Sequence, residues 1–209
     1  MVEPFESKMQ RGGEMALREV GRFFMRDDPV HRSLRRITAQ LQQLEIPYAV
    51  AGAMALVAHG YDRTTVDVDL LVTKEGLARV HSALTGLGYV SVFAGSKALR
   101  DVETGVRIDF LVTGGFPGDG QPKPIAFPDP ADCSLEIDGI RYLILERMVE
   151  LKLASGMTNP GRIKDLADVQ ELIRVLRLDP AFSERIAPFV RAKYTELWNG
   201  VASAGDMES

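Results

Sequence analysis

Asp67 and Asp69 stand two apart in the run Val66-Asp67-Val68-Asp69-Leu70-Leu71-Val72, whose hydrophobic members mark a strand. Alternation along a strand sends both carboxylates to one face and turns Val68 and Leu70 into the core. Asp109, between Ile108 and Phe110 in Val106–Val112, repeats the pattern, and a third carboxylate joins the group if its strand lies beside the first. Carboxylates so close destabilise a fold or raise one another's pKa unless a cation intervenes. Mg²⁺ suits such a place, because it is held by one or two carboxylates together with substrate phosphate oxygens and water. A D-x-D pair by itself is also compatible with a solvated strand face. Gly52 strengthens the first reading, since it sits at a strand-to-helix turn where backbone N–H groups and the helix dipole favour an anion.

The elements that must position these residues follow from periodicity. A short apolar pattern at Leu17, Val20, Phe23 and Phe24 suits a peripheral helix ending before Asp27-Asp28-Pro29. His31–Glu45 has Leu34, Ile37, Leu41 and Leu44 at helical spacing. Ile46–Ala51 reads as a strand, Ala53–His59 as a helix of good helix formers closed by Gly60, and Val66–Val72 as the second strand. Lys74–Leu87 returns to helical spacing, while Tyr89–Phe93 and Val106–Val112 read as further strands. Gly114–Pro130 holds five prolines and four glycines, a long irregular connection suited to a lid or a substrate contact. Leu135–Leu143 predicts a hairpin around Asp138-Gly139. Helices follow over Glu146–Ser155, Gly161–Leu176 and Pro180–Trp198, then a tail that should fray. This order predicts an α/β (α+β) fold, a mixed sheet flanked by helices with a helical C-terminal lobe. The boundaries expected are an extension over 1–30, a core over 31–143, a helical lobe over 144–200 and a flexible tail over 201–209.

Composition narrows the chemistry without choosing a partner. With 209 residues, 45% of them hydrophobic, the chain can close a substantial core. Apolar runs stop well short of the roughly 20 residues that a membrane span needs. The first residues are charged where a secretory signal would be apolar, which predicts a cytoplasmic protein. One cysteine, Cys133, and three histidines, His31, His59 and His81, without zinc-ligand spacing, leave oxygen donors for any metal. A net charge of −4 disfavours a surface built throughout for nucleic acid, though a local basic patch would still steer an RNA.

Ala51-Gly52-Ala53-Met54-Ala55, then Gly60, Arg63 and Thr65, then Asp67-Val68-Asp69-Leu70, resemble the glycine motif and Dh[DE]h motif of the DNA polymerase β-like nucleotidyltransferase superfamily. Glu150-Leu151-Lys152-Leu153 and Arg162-Ile163-Lys164-Asp165-Leu166-Ala167-Asp168 resemble the lysine and RxKDxxD motifs of abortive-infection type toxin nucleotidyltransferases and their stand-alone relatives. The resemblance runs from about Tyr48 to Leu176. It implies a nucleotidyltransferase-type sheet and transfer of a nucleoside monophosphate from an NTP to a hydroxyl of RNA, protein or a small molecule, with Mg²⁺ or Mn²⁺ as cofactor. Asp67, Asp69 and Asp109 would be the catalytic metal ligands. Gly52 and Ala53 would contact phosphate, Lys152 the triphosphate, and Asp165 would position Lys152 or a substrate. In the toxin-like branch the acceptor is a tRNA end or another cellular target, and a cognate antitoxin is a further partner. The family usually has Gly or Ser where this chain has Ala53, which keeps the N–H but supplies no hydroxyl.

Each assignment has a plainer counterpart. Arg63 suits a phosphate, or balances the carboxylates from their own loop. Lys152, amid Leu151, Leu153 and Ala154, suits a snorkelling surface lysine. Lys164 and Asp168, one turn apart, suit an i,i+4 ion pair. His59 fits a packed or capping residue. As a whole, the chain also fits a catalytically inactive nucleotide- or partner-binding module of a two-component, toxin-antitoxin-like system. A D-x-D glycosyltransferase fits the metal but not the glycine turn.

Overall fold

The computed structural model describes residues 4–10, 13, 20–23 and 26–207. Of the peripheral helix expected near the N-terminus, Leu17 and Phe24 lie outside the described residues; Phe23 is buried against the core. A short helix α1 (Phe5–Gln10) comes first. Helix α2 (Pro29–Gln43) begins earlier than the hydrophobic spacing alone indicates, because Asp28 caps it, accepting from the N–H groups of Val30 and His31, and Pro29 occupies its first turn. Its Val30, Leu34, Ile37 and Leu41 are fully or almost fully buried.

Strand β1 (Tyr48–Ala51) runs into α3 (Gly52–Ala58), and β2 (Asp67–Val72) is followed by α4 (Lys74–Leu84). Then come β3 (Tyr89–Ser91), β4 (Leu99–Asp101), β5 (Arg107–Val112) and the hairpin β6 (Ser134–Ile137) and β7 (Ile140–Leu143). Asp138 and Gly139 both take positive φ, 51° and 77°, as a two-residue hairpin turn of this kind requires. The seven strands form one mixed sheet in the order β3-β4-β5-β2-β1-β7-β6. Pairings are parallel for β2 with β5 and β1 with β7, and antiparallel elsewhere. Strand β4 is an addition to the expected set: its Leu99 and Asp101 are both wholly buried, so no apolar/polar alternation announces it.

Helices α5 (Leu145–Thr158), α6 (Ile163–Val175) and α7 (Pro188–Met207) complete the chain, with 3₁₀ turns at Pro160–Arg162 and Pro180–Arg185. A Cβ on Gly156 would come within 2.5 Å of Leu166 Cγ, so glycine here lets α6 lie close on α5. Tyr194 Oη donates to the Asp179 carbonyl and Trp198 Nε1 to that of Leu178, both at 2.9 Å, tying α7 to the end of α6. The last helix continues through Met207, past the Asn199 at which composition suggests fraying. Among the described residues, no helix is long and apolar enough to cross a membrane.

Candidate active site

The parallel register of β2 and β5 sets Asp69 directly opposite Asp109 and Asp67 opposite Arg107. Val68, Leu70 and Ile108, the alternate residues, are fully buried. One sheet face therefore carries three carboxylates and one guanidinium, while the other packs into the core.

Each carboxylate has a different environment. Asp67 accepts from the Thr65 hydroxyl. Asp109 accepts from Nε and Nη2 of Arg107 at 3.0 and 2.7 Å. Asp69 is pushed up to a pKa of about 7 by burial first, then by the charges of Asp67 and Asp109, against the opposing pull of Lys152 and Arg162. Its carboxylate also lies against Gly52: a Cβ there would meet Asp69 Oδ2 at 1.9 Å, and Gly52 has φ +59°. The glycine is thus required by its own backbone and by the aspartate, independently of any phosphate.

Asp69 and Gly52 form the floor of an open cleft whose other walls include Phe127, Met148, Lys152, Ser155 and Arg162. On the helical side, Lys152 Nζ donates to Asp165 Oδ1 at 3.0 Å and to Asp168 Oδ2 at 2.7 Å. Asp165 Oδ2 also accepts from Ser155 Oγ at 2.7 Å and from Arg162 Nε at 3.0 Å. Burial alone would raise the Asp165 pKa, but Lys152, Ser155 and Arg162 hold it below the usual carboxylate value. Arg63 pairs with Asp168 across the chain.

These contacts decide between several of the plainer alternatives. Lys152 is an internal cation and not a snorkelling surface lysine. No ion pair joins Lys164 to Asp168 among the described residues; Lys164 is exposed while Asp168 turns inward to Lys152 and Arg63. Arg63 balances Asp168 and not the three strand carboxylates. His59 Nε2 lies 2.8 Å from the Leu143 carbonyl, a packing role.

Of the expected site residues, Gly52, Asp69, Lys152 and Asp165 line the cleft; Asp67, Ala53, Arg63 and Asp109 do not. Ala53 is buried, 7% exposed. Ser155, Arg162 and Arg107 are additions. Lys152-x-x-Ser155 is a helical i,i+3 pair and Arg107-x-Asp109 a strand i,i+2 pair, so periodicity carries a signal for both.

The proline- and glycine-rich segment is a packed wall and not a free flap. Lys123 Nζ reaches the Pro117 carbonyl, Asn159 Nδ2 donates to the Gly118 carbonyl at 3.1 Å, and Gly114 N–H donates to Phe127 at 2.8 Å.

Three oxygen-donor carboxylates on paired strands match the ligand chemistry of Mg²⁺ or Mn²⁺. Among the described residues, though, no three His, Cys, Asp or Glu side chains are gathered tightly enough to enclose a cation. Asp109 is instead paired with Arg107, and Asp67 accepts from Thr65.

No family model and no curated protein matches the chain. Among solved structures it is similar to ANT(2")-Ia in complex with adenylyl-2"-tobramycin, at 13% identity and TM-score 0.49, over 83% of this chain and 97% of that one. It is also similar to a provisionally named nucleotidyltransferase from Thermotoga maritima, at 17% identity and TM-score 0.43, over 68% of this chain and 91% of the other. A third, from H. pylori and provisionally named in the same way, is 16% identical with TM-score 0.46, over 86% and 96%. These neighbours are nucleotidyltransferases.

Proposed function

We propose that this protein is a metal-dependent nucleotidyltransferase that moves a nucleoside monophosphate from an NTP to a hydroxyl acceptor. The observation that carries the reading is the register that opposes Asp69 to Asp109, with Asp67 two residues before, at the edge of a cleft whose far wall holds Lys152 and Arg162. In this reading the core over 31–143 is catalytic and the helical lobe over 144–200 holds the triphosphate.

Lys152, fixed by Asp165 and Asp168, and Arg162 beside it supply cations for triphosphate oxygens. Backbone N–H groups at Gly52 and Ala53 add neutral donors. Divalent cations held by Asp67, Asp69 and Asp109 would acidify the attacking hydroxyl and neutralise charge on the transferred phosphoryl group. Asp109, on the neighbouring strand, would help take the hydroxyl proton once freed from Arg107. The acceptor oxygen bonds to the α-phosphorus, the bond to the β-phosphate oxygen breaks, and pyrophosphate leaves. The RxKDxxD run extends the proposal to the toxin-like branch, with a tRNA end or another macromolecule as acceptor and a cognate antitoxin as partner.

Ala53, without a hydroxyl, favours one competing reading: a module that binds NTP or a partner without turnover. Pyrophosphate release from NTP with Mg²⁺ or Mn²⁺ separates the two. Release that disappears in Asp67→Asn and Asp69→Asn supports the enzyme; NTP uptake without release supports the module.

A further inference from the structure

We infer that Arg107 is a positioning residue that competes with a divalent cation for the Asp109 carboxylate and so sets the metal affinity of the site. The inference rests on the metal-dependent reading above.

Four observations carry it. Strand alternation puts Arg107 and Asp109 on one face, and the guanidinium grips Asp109 Oδ1 through two donors, at 3.0 and 2.7 Å. Register places Arg107 opposite Asp67, so the same cation stands among the carboxylates that a metal would bridge. The other basic side chains nearby are engaged elsewhere: Lys152 and Arg63 with Asp168, Arg162 with Asp165, and Arg100 with Glu6. The three aspartates are not gathered around a common point. Both donors go to one oxygen, Asp109 Oδ1, so the guanidinium neutralises that carboxylate where a shared cation would otherwise do so. A cation that draws on Asp109 Oδ1 must therefore displace Arg107 before that oxygen can join the other two ligands. With its side chain 43% exposed, Arg107 has room to swing away.

The pair is half open to solvent, so its contribution is modest and the competition reversible: removing it should change cation affinity by about two- to fivefold, the range of an exposed ion pair. The experiment measures Mn²⁺ binding to the full chain without nucleotide, from the electron paramagnetic resonance signal of free Mn²⁺. Wild type, Arg107→Gln, Arg107→Lys, Asp109→Asn, Asp69→Asn and the Arg107→Gln/Asp109→Asn double variant are compared. Arg107→Gln should bind Mn²⁺ tighter than wild type, and Arg107→Lys, which lacks the two-donor fork, should fall between them. In the Asp109→Asn background, Arg107→Gln should change nothing. Unchanged or weaker binding in Arg107→Gln overturns the inference. So does equal tightening in the Asp109→Asn background, which would mean a charge acting at a distance and not competition for one carboxylate. Mn²⁺ binding undiminished by Asp69→Asn would overturn the metal site of the proposed function and this inference with it, whereas an Arg107 effect that fails while Asp69→Asn abolishes binding leaves that function standing.

Discussion

A Cβ on Gly52 would lie 1.9 Å from Oδ2 of Asp69, nearer than two nonbonded heavy atoms can approach. The strand-to-helix turn and the strand that carries Asp67 and Asp69 are therefore built to one another's shape. A side chain at 52 must displace the carboxylate as well as adopt φ +59°.

Gly52→Ala should accordingly destabilise the protein by more than the roughly 1–2 kcal/mol of left-handed strain alone. Part of that cost should vanish in an Asp69→Ala background, where the carboxylate is gone, with a coupling of about 0.5–3 kcal/mol expected for residues in contact. Thermal or denaturant melts of the four proteins give the coupling. Strict additivity would mean that turn strain, and not the aspartate, explains the glycine.

Stability of the metal-free protein should depend on pH through Asp69. Its folded pKa of about 7 lies above that of an unfolded aspartate, so between about pH 4 and 7 the folded state keeps a proton that the unfolded chain has released. Stability from this group is complete below about pH 4 and is lost as pH rises to about 7. The difference in melting temperature between wild type and Asp69→Asn should therefore shift in favour of the variant across that window. Parallel curves would place the raised pKa elsewhere. Mg²⁺ with NTP, which need the ionised form, should stabilise wild type more at pH 8 than at pH 5.

Asp168 is buried between Arg63 and Lys152, so Asp168→Asn leaves two part-buried cations short of a counter-charge. A loss of about 3 kcal/mol is expected, the lower end for a buried pair deprived of one member, because both cations reach some solvent. Lys164→Ala should change stability by no more than about 0.5 kcal/mol. If Lys164→Ala proves the costlier, Asp168 pairs along its own helix after all.

The neighbours of β2 show what was legible beforehand. The alternation in Val66–Val72 and in Val106–Val112 identifies both strands and their shared face, and the hairpin at Asp138-Gly139 announces itself by its turn residues. Asp28-Pro29 was a helix-start signal overshadowed by the hydrophobic spacing that begins later. Strand β4 escaped because three residues with a buried aspartate carry no period. The partner of Asp168 escaped for a different reason. Lys164 is four residues away, whereas Lys152 is 16 and Arg63 is 105: the packing of α6 on α5, made close at Gly156, brings in Lys152, and the loop before β2 brings in Arg63.

Ala53 is buried and does not line the cleft, so restoring a hydroxyl there should matter little. Ala53→Ser should change NTP affinity by no more than one hydrogen bond, about 0.5–1.5 kcal/mol. Titration calorimetry reads this directly. Conversion of an inert protein into an active one by this single change would mean that the hydroxyl, and not the backbone, is the missing phosphate contact.

The central claim is transfer itself, and the most direct measurement incubates the full chain with each α-labelled NTP, Mg²⁺ or Mn²⁺, total RNA and cell extract. The account predicts label joined to an acceptor with stoichiometric pyrophosphate, abolished by Asp67→Asn and by Asp69→Asn while both variants remain folded. Labelled NTP that is bound and recovered intact, with no pyrophosphate under any of these conditions, would contradict it.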